Sequence, residues 1–321
     1  MKKILVLFIC CCFNLTAVAQ DFAKVDAAVK NYPASFATPD KFAERVNADF
    51  KNDEEKARAI FTWIATNVKY DLAAYGVNEK PVAYSFKTED EKRAKQKEFR
   101  DELALKTLRS KKGVCQGYST LFLTIAEKCG LEAAFISGTS KSHPMHIGKA
   151  PGASDHAWNA VKIGNEWKLL DTTWGAGVVT GARPAFQFKF NDAYFFAEPD
   201  VFFLNHFPDD KRWLLTAKTE KDFENLPLFY GNYLSEGYEF VSPVTGTISN
   251  PAVQVADFKI KNLKPGDKVH YVFSNEKVFK EAVLQQTGTI AEFKVPLPLR
   301  ANGTLTVYIN QKSVAAYRIE R

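Results

Sequence analysis

A periodic apolar segment that begins just after a glycine-flanked cysteine constrains this 321-residue chain more than any other feature. Between Gly117 and Cys129 the apolar residues fall at spacings of i, i+3, i+4, i+7, i+8 and i+11, which places them on one face of an α-helix. Gly130 follows and predicts a left-handed end to that helix. Cys115, in the sequence GVCQGY, is therefore expected at the helix N-terminus.

The position of Cys115 favours a reactive thiol over an inert buried cysteine. The helix dipole and the unpaired backbone N–H groups of a helix N-terminus both stabilise a thiolate, which is the nucleophilic form. The same N–H groups can bind an oxyanion after the thiolate attacks a carbonyl group. Cys129 belongs to the apolar face of the helix, and we predict that it is a core residue.

A disulfide between Cys115 and Cys129 is not expected, because one helix separates them. The two residues are 14 positions apart, which corresponds to roughly 21 Å along a helix. A disulfide requires the two Cα atoms to approach within about 7 Å. Cys115 is therefore predicted to be the accessible thiol of the exported chain.

A β-hairpin is predicted over residues 156–171, with its turn at Gly164 and Asn165. A two-residue turn places His156 and Asp171 on the same face as diagonal neighbours, with Cα atoms about 7–8 Å apart. A three-residue turn would place Asp171 on the opposite face. With the two-residue turn, Cys115 can act as the nucleophile, His156 as the general base and acid, and Asp171 as the group that orients the imidazole. The alternative is a core aspartate and a histidine on an edge strand of the sheet.

Three separate motifs resemble the transglutaminase-like superfamily of papain-like thiol enzymes and occur in its order: GVCQGYS at 113–119, DHAWNAV at 155–161 and GNEWKLLDTTWG at 164–175. The segment KARAIFTWI at 56–64, which runs into VKYD at 68–71, is similar to the N-terminal helix of that family. NHFPDD at 205–210 resembles the branch typified by the kyphoscoliosis peptidase. The resemblance covers roughly residues 45–235.

The resemblance implies a papain-like α+β core, with helices packed on an antiparallel sheet, and acyl transfer through a thioester. The catalytic residues of the family correspond to Cys115, His156 and Asp171. Members of the family either cross-link glutamine to an amine or hydrolyse peptide and amide bonds. The resemblance implies a protein or peptide substrate, for example a cell-wall peptide, and it implies no cofactor, no metal and no calcium site.

The remaining candidate site residues are less constrained by the sequence. Gln116 and Tyr70 are candidates for the second oxyanion donor. Trp158 and Trp174 are candidates for a substrate groove, and core packing explains them equally well. The pair His143 and His146 lies in a loop rich in Gly, Ser and Pro and is interpreted as a mobile loop rather than a metal site.

The N-terminus is interpreted as a signal peptide over residues 1–19. Lys2 and Lys3 precede an apolar run from Ile4 to Phe13, and the sequence AVA at 17–19 suits signal peptidase. A membrane anchor is the alternative, but it needs about 20 apolar residues. Removal of the two lysines lowers the formal charge from +6 to +4, which gives no reason to expect a nucleic-acid partner. A periplasmic or extracellular location follows from this interpretation.

Two domains follow the signal: a catalytic domain over 20–237 and an immunoglobulin-like β-sandwich over 238–321, which is able to dock another protein or a glycan. The charged segment 87–112 is predicted to be a solvated helix or a long loop. The function that fits best is a secreted cysteine peptidase or amidase. The alternatives are a cross-linking transglutaminase and a catalytically silent module that binds peptide or glycan.

Overall fold

The computed structural model describes residues 22–74, 85–181, 183–298 and 302–320. The predicted signal peptide over 1–19 lies outside these described residues. Among the helices of the described ranges, we find none whose length and hydropathy would allow it to cross a membrane.

The helices precede or interrupt the sheets and lie almost entirely in the first three quarters of the chain. They are α1 (Ala23–Val29), α2 (Pro39–Asp49), α3 (Asp53–Asn67), α4 (Glu89–Ser110), α5 (Cys115–Lys128), α6 (Thr172–Ala176), α7 (Pro199–Phe202), α8 (Glu220–Asn225) and α9 (Gly231–Glu236).

The strands up to residue 208 belong to the region that contains the candidate catalytic residues. They are β1 (Lys69–Tyr70), β2 (Lys112–Gly113), β3 (Ala133–Ser140), β4 (His156–Ile163), β5 (Glu166–Leu170), β6 (Gly177–Thr180), β7 (Ala185–Phe188), β8 (Phe195–Ala197) and β9 (His206–Pro208).

The later strands form the C-terminal all-β region. They are β10 (Leu228–Phe229), β11 (Glu239–Ser242), β12 (Thr247–Ile248), β13 (Val255–Lys261), β14 (Val269–Phe273), β15 (Lys280–Glu281), β16 (Gln285–Thr287), β17 (Ile290–Pro296), β18 (Asn302–Ile309) and β19 (Lys312–Glu320).

Helix α5 is the central element of the helical layer. It begins at Cys115, two residues before the predicted start, and Gly130 takes the left-handed conformation that was predicted, with φ 82°. Its residues from Gly117 to Ala126 are all buried, and it packs against β4 as well as against α2, α3 and α4. The predicted apolar face therefore underestimates the burial of this helix, which is covered on most sides.

Helix α4 resolves the ambiguity of the charged segment 87–112 in favour of a helix. The side chain of Thr88 accepts a hydrogen bond from the backbone N–H of Glu91, and this caps the first turn. The helix ends at Ser110, and the next residue, Lys111, takes the left-handed conformation with φ 52°. Only three of its residues are buried, and they lie near the C-terminal end: Ala104, Thr107 and Leu108.

The five-stranded antiparallel sheet has the order β8-β5-β4-β3-β9. Ile163 pairs with Glu166, so the two-residue turn predicted at 164–165 is confirmed. Strand β3 extends to Ser140, because β9 pairs with its last three residues. The hairpin β4–β5 lies in the middle of this sheet, with α5 packed against β4.

The all-β region contains two sheets, with the orders β10-β19-β18-β14-β15 and β11-β13-β17-β16, and β12 pairs with β19. Aromatic side chains fill the space between them; Phe258 stacks on Phe293 with ring centroids 4.8 Å apart. The predicted all-β character is confirmed. The immunoglobulin-like assignment and the domain boundary at residue 238 stay predictions.

The two regions are connected by β10, which precedes residue 238 but pairs with β19 at the C-terminal end of the chain. Leu228 of β10 and Ala316 of β19 are both buried, and Ile147 packs with them in one apolar cluster. Ile147 belongs to the loop between β3 and β4. The loop that leads into His156 therefore rests on the all-β region.

Candidate active site

The thiol of Cys115 lies at the N-terminus of α5 and is half-buried. The residue before it, Val114, has an extended conformation with φ −91° and ψ −179°, and no side chain caps the helix. The N–H groups of the first helical turn have no intrahelical acceptor. These donors are therefore available to a negative charge that develops next to the sulfur atom.

Two glycines allow α4 to approach the Cys115 segment closely. A Cβ atom at Gly117 would lie 2.8 Å from Oγ1 of Thr107, and one at Gly113 would lie 3.2 Å from its methyl carbon. Tyr70 pairs with Gly113 in the parallel ladder of β1 and β2, and the backbone N–H of Asp71 donates to the Gly113 carbonyl at 3.0 Å. Helix packing and strand pairing thus fix the backbone immediately before Cys115.

His156 and Asp171 form the buried polar centre of the site. The register of the β4–β5 hairpin, in which Asn159 pairs with Leu170, places both side chains on one face of the sheet. His156 Nε2 lies 2.7 Å from Asp171 Oδ2, and the two residues are 8% and 0% exposed. The contact between them is the one that the two-residue turn predicted.

Asp171 is held in place by its own backbone as well. It caps α6, because its Oδ1 accepts hydrogen bonds from the backbone N–H groups of Thr173 at 2.7 Å and Trp174 at 3.1 Å. Burial alone would raise the pKa of this carboxyl, but the imidazoles of His156 and His206 outweigh that effect and hold its pKa well below the ordinary value. The carboxylate is therefore charged throughout the physiological range.

Cys115 lies close enough to His156 to raise the pKa of its ring. Burial opposes a charge on the His156 imidazole, but the Asp171 carboxylate and, to a smaller extent, Cys115 outweigh burial and raise the pKa of His156 above its ordinary value. Because Nε2 faces Asp171, Nδ1 is the ring nitrogen left for the thiol. A protonated imidazole in this position can stabilise a thiolate.

The tryptophans predicted as groove candidates differ in exposure. Trp174 is half-buried and stacks on the His156 ring, with centroids 5.2 Å apart and planes at 28°. Trp158 is 1% exposed, so it packs in the core and does not line an open groove. The physical reason is Gly138, because a Cβ there would lie only 2.5 Å from the Trp158 indole, which covers the glycine.

The two candidates for the second oxyanion donor both flank Cys115. Gln116 is exposed in the first turn of α5. Tyr70 is half-buried next to Tyr118, with ring centroids 6.4 Å apart. The oxyanion role of either residue stays a prediction, as do the catalytic roles of Cys115, His156 and Asp171.

His206 is the residue of this site that sequence reasoning missed. It belongs to the NHFPDD motif, which by itself assigns no role to the histidine. The structure places its Nε2 atom 3.0 Å from Oδ2 of Asp171, the same oxygen that contacts His156. The motif was the only signal in the sequence, because 35 positions separate this histidine from Asp171.

His156, Asp171 and His206 also have the composition of a metal site, since their ligand atoms all lie within 4.8 Å of one another. The two N···O distances, 2.7 and 3.0 Å, are ordinary hydrogen-bond lengths. Both imidazoles direct Nε2 at one carboxylate oxygen, which is the arrangement of two N–H donors sharing an acceptor. The geometry therefore favours protons over a metal ion between these groups.

The loop histidines do not join this cluster. His143 precedes a short 3-10 turn and His146 is its last residue. The Nδ1 atom of His143 accepts the backbone N–H of Met145 at 3.2 Å, and that of His146 accepts the backbone N–H of Ser142 at 3.3 Å. Each ring therefore serves the conformation of its own loop.

The fold and the site together define a papain-like α+β domain with a cysteine at a helix N-terminus facing a histidine–aspartate pair. Residues 40–172 match the model of the transglutaminase-like superfamily, and the chain belongs to that superfamily. The matched segment contains Cys115, His156 and Asp171.

Within the superfamily the chain belongs to the kyphoscoliosis-peptidase-type branch. It is similar to the kyphoscoliosis peptidase of Homo sapiens, with 30% identity over 232 residues that cover 71% of this chain and 32% of that protein. Hillarin of Drosophila melanogaster is 26% identical over 298 residues, which cover 83% of this chain and 33% of that protein. The chain thus spans about a third of the length of these relatives.

Among solved structures, the crystal structure of a TGase superposes with a TM-score of 0.27 and 20% identity, over 57% of this chain and 40% of that chain. A superposition of that quality supports no conclusion about activity.

Proposed function

We propose that this chain is an exported thiol enzyme that hydrolyses peptide or isopeptide amide bonds through a thioester on Cys115. The observation that carries the proposal is the buried hydrogen bond of 2.7 Å between His156 and Asp171, formed beside the half-buried thiol at the start of α5. Membership of a superfamily of cysteine proteases and transglutaminases supports the class of reaction.

The reaction begins with attack of the Cys115 thiolate on the carbonyl carbon of the amide. Backbone N–H groups in the first turn of α5 stabilise the resulting oxyanion. His156 then gives its proton to the leaving nitrogen, the C–N bond breaks, and a thioester remains on the sulfur.

The second half of the reaction releases the acyl group. His156, now neutral, removes a proton from a water molecule, and the hydroxide attacks the thioester carbonyl. When the C–S bond breaks, the product leaves as a carboxylic acid, and Cys115 returns to a thiolate paired with protonated His156. Throughout, the Asp171 carboxylate stabilises the charged imidazole and fixes the orientation of its ring.

A protein substrate is supported by the hairpin of β6 and β7, which follows α6 directly. Val179 and Phe188, which share one face of this hairpin, are 45% and 51% exposed. Phe186 lies on the same face and packs against Tyr70, with ring centroids 6.4 Å apart. An apolar surface thus extends from the strand beside Cys115 and suits an apolar segment of a polypeptide.

The first experiment is alkylation by iodoacetamide near neutral pH, followed by mass-spectrometric mapping of the modified residue. Cys129 is a matched internal control, because it is buried and burial raises its pKa to about 12. We expect rapid alkylation of Cys115 and none of Cys129 in the folded protein. An unreactive Cys115 would support the alternative of a catalytically silent binding module.

Hydrolysis and cross-linking share the same thioester, so they must be separated by the acceptor. We propose water as the acceptor, and the test supplies a glutamine-bearing protein together with a fluorescent amine. Ammonia or peptide release without labelling is the expected result. Covalent incorporation of the amine would instead make the chain a transglutaminase.

Export rests on the sequence of residues 1–19. We propose that the chain is processed after Ala19 and acts in a periplasm or outside the cell. Mass spectrometry of the N-terminus in the expressing host tests this, with Gln20 as the expected first residue.

A further inference from the structure

His206 is fully enclosed next to the proposed catalytic residues, yet the proposed thioester chemistry does not use it. It is 2% exposed and begins β9, which pairs with β3 so that His206 lies opposite Ser140. Strand β4 pairs with the other edge of β3, with His156 opposite Gly138. The two histidine rings therefore lie on either side of β3, with their centroids 5.5 Å apart.

The hydrogen bonds of Asp171 show what His206 contributes. Oδ1 accepts from two backbone N–H groups of α6, and Oδ2 accepts from His156 at 2.7 Å and His206 at 3.0 Å. A carboxylate has about four acceptor positions, and all four are filled here. Without His206, one position of a fully buried carboxylate would lose its partner, which is costly in an apolar interior.

The ring of His206 is held in one orientation. Phe202 stacks on one side with centroids 4.0 Å apart, and Trp174 contacts it at 4.7 Å. Its Nδ1 lies 3.2 Å from the carbonyl oxygen of Phe202. Burial lowers the pKa of His206 despite the neighbouring Asp171 and favours the neutral ring. Its single proton then lies on Nε2, which faces the charged carboxylate, and Nδ1 contacts the Phe202 carbonyl without donating to it.

The titratable groups that face His206 are Asp171 at the start of α6, His156 on β4 and Tyr194 before β8. Burial raises the pKa of Tyr194, so this phenol is neutral at physiological pH. Lys141, the next residue after β3, directs its Nζ towards carbonyl oxygens of His146 and of residues 224 and 226. The electrostatic balance around His206 is therefore set by Asp171 and His156.

We propose that His206 is a positioning residue that shares Oδ2 of Asp171 with His156 and thereby limits how tightly Asp171 holds the proton of His156. A neutral donor binds the carboxylate more strongly when His156 is uncharged than when an imidazolium already neutralises it. His206 therefore favours release of the His156 proton, which the leaving amine needs. This inference rests on the proposed thiol chemistry.

The test compares His206→Phe with His206→Gln. Phenylalanine keeps the aromatic packing but removes both ring nitrogens, whereas the amide of glutamine places a donor near the position of Nε2. The readout is the rate of Cys115 alkylation as a function of pH, because its alkaline transition reports the loss of the His156 proton. In His206→Phe we expect this transition to move up by about 0.5–1 pH unit, as for loss of one hydrogen bond, and turnover to fall about tenfold. His206→Gln should return the transition towards that of the wild type.

Thermal unfolding establishes that each variant is folded before its profile is interpreted. If the phenylalanine variant does not fold, His206→Asn replaces it, because the shorter amide places its donor near Nδ1, away from Asp171, and the same upward shift is expected. A folded variant lacking the donor with an unchanged alkaline transition would overturn the inference and leave the thiol mechanism standing. If wild-type Cys115 does not react in the folded protein, the proposed function itself fails. Stoichiometric Zn²⁺ binding that disappears in His206→Phe would overturn the inference in favour of a metal site.

Discussion

The interior around Asp171 contains ionisable and polar side chains, whereas the interior of the all-β region is aromatic and aliphatic. Among the described residues, the buried polar and charged ones all lie between Arg58 and His206. The core of the all-β region is formed by side chains such as Phe258, Phe293 and Tyr317. Buried polar groups require partners in fixed positions, while apolar cores depend on volume. We therefore expect substitutions in the first region to alter chemistry and those in the second to alter stability.

Cys115→Ala should give the largest effect. The half-buried thiol is the proposed nucleophile, and its loss is expected to reduce turnover by about 10⁴-fold or more, as for other nucleophile deletions. Thermal unfolding should change little, because only one sulfur atom is removed. Peptide hydrolysis and calorimetry measure the two properties. Wild-type turnover in the alanine variant would remove Cys115 from the mechanism.

Asp171→Asn should follow, with a loss of turnover of about 10²–10⁴-fold. An asparagine oxygen can still accept the backbone N–H groups that start α6, but its amide cannot accept from both His156 and His206. Steady-state kinetics and circular dichroism distinguish loss of orientation from loss of fold. A variant that unfolds would show that Asp171 is more important for the helix cap than for catalysis.

Phe258→Ala should affect the other region and lower the free energy of unfolding by about 3–5 kcal/mol. The side chain is completely buried and packs between Phe293 and Tyr317. Val283→Ala is the control, since Val283 is 83% exposed and its truncation should cost less than about 0.5 kcal/mol. Alkylation of Cys115 in folded Phe258→Ala should match that of the wild type, and a marked change would show that packing in the all-β core affects the site.

The smallest effect is the contribution of Asp171 to the pH dependence of stability. Its pKa is depressed in the folded state, so its contribution is present above the unfolded pKa of about 3.9 and is lost as the pH falls through the folded value. Urea unfolding between pH 7 and pH 3 should show a decline steeper by about 1 kcal/mol in the wild type than in Asp171→Asn. Parallel curves would contradict a depressed pKa.

The centre of the site was predictable because its information is local. The turn at Gly164 and Asn165 sets the register of the hairpin, and that register alone brings His156 and Asp171 together. The apolar spacing after Cys115 likewise places the thiol at a helix start. Both features depend on stretches of fewer than about twenty residues, over which helix and strand periodicity is reliable.

The parts that could not be predicted depend on contacts between distant segments. His206 reaches Asp171 only because β9 pairs with β3, and no regular sequence spacing relates these two strands. Trp158 is buried against Gly138, where a Cβ atom would collide with the indole ring. The sequence left helix and loop open for segment 87–112, because few apolar residues interrupt its charges. In the structure the cap at Thr88 and the buried packing near Thr107 stabilise a helix.

The pairing of β10 with β19 determines how the protein can be divided. A chain cut after Gly237 would keep Leu228 and Phe229 but would lose the strand that covers them. Ile147 would then face solvent instead of Ala316, and the loop that leads into His156 would lose its support. We therefore expect that the region containing Cys115 does not fold independently. Proteolytic removal of β19 should abolish the proposed activity although Cys115, His156 and Asp171 are retained.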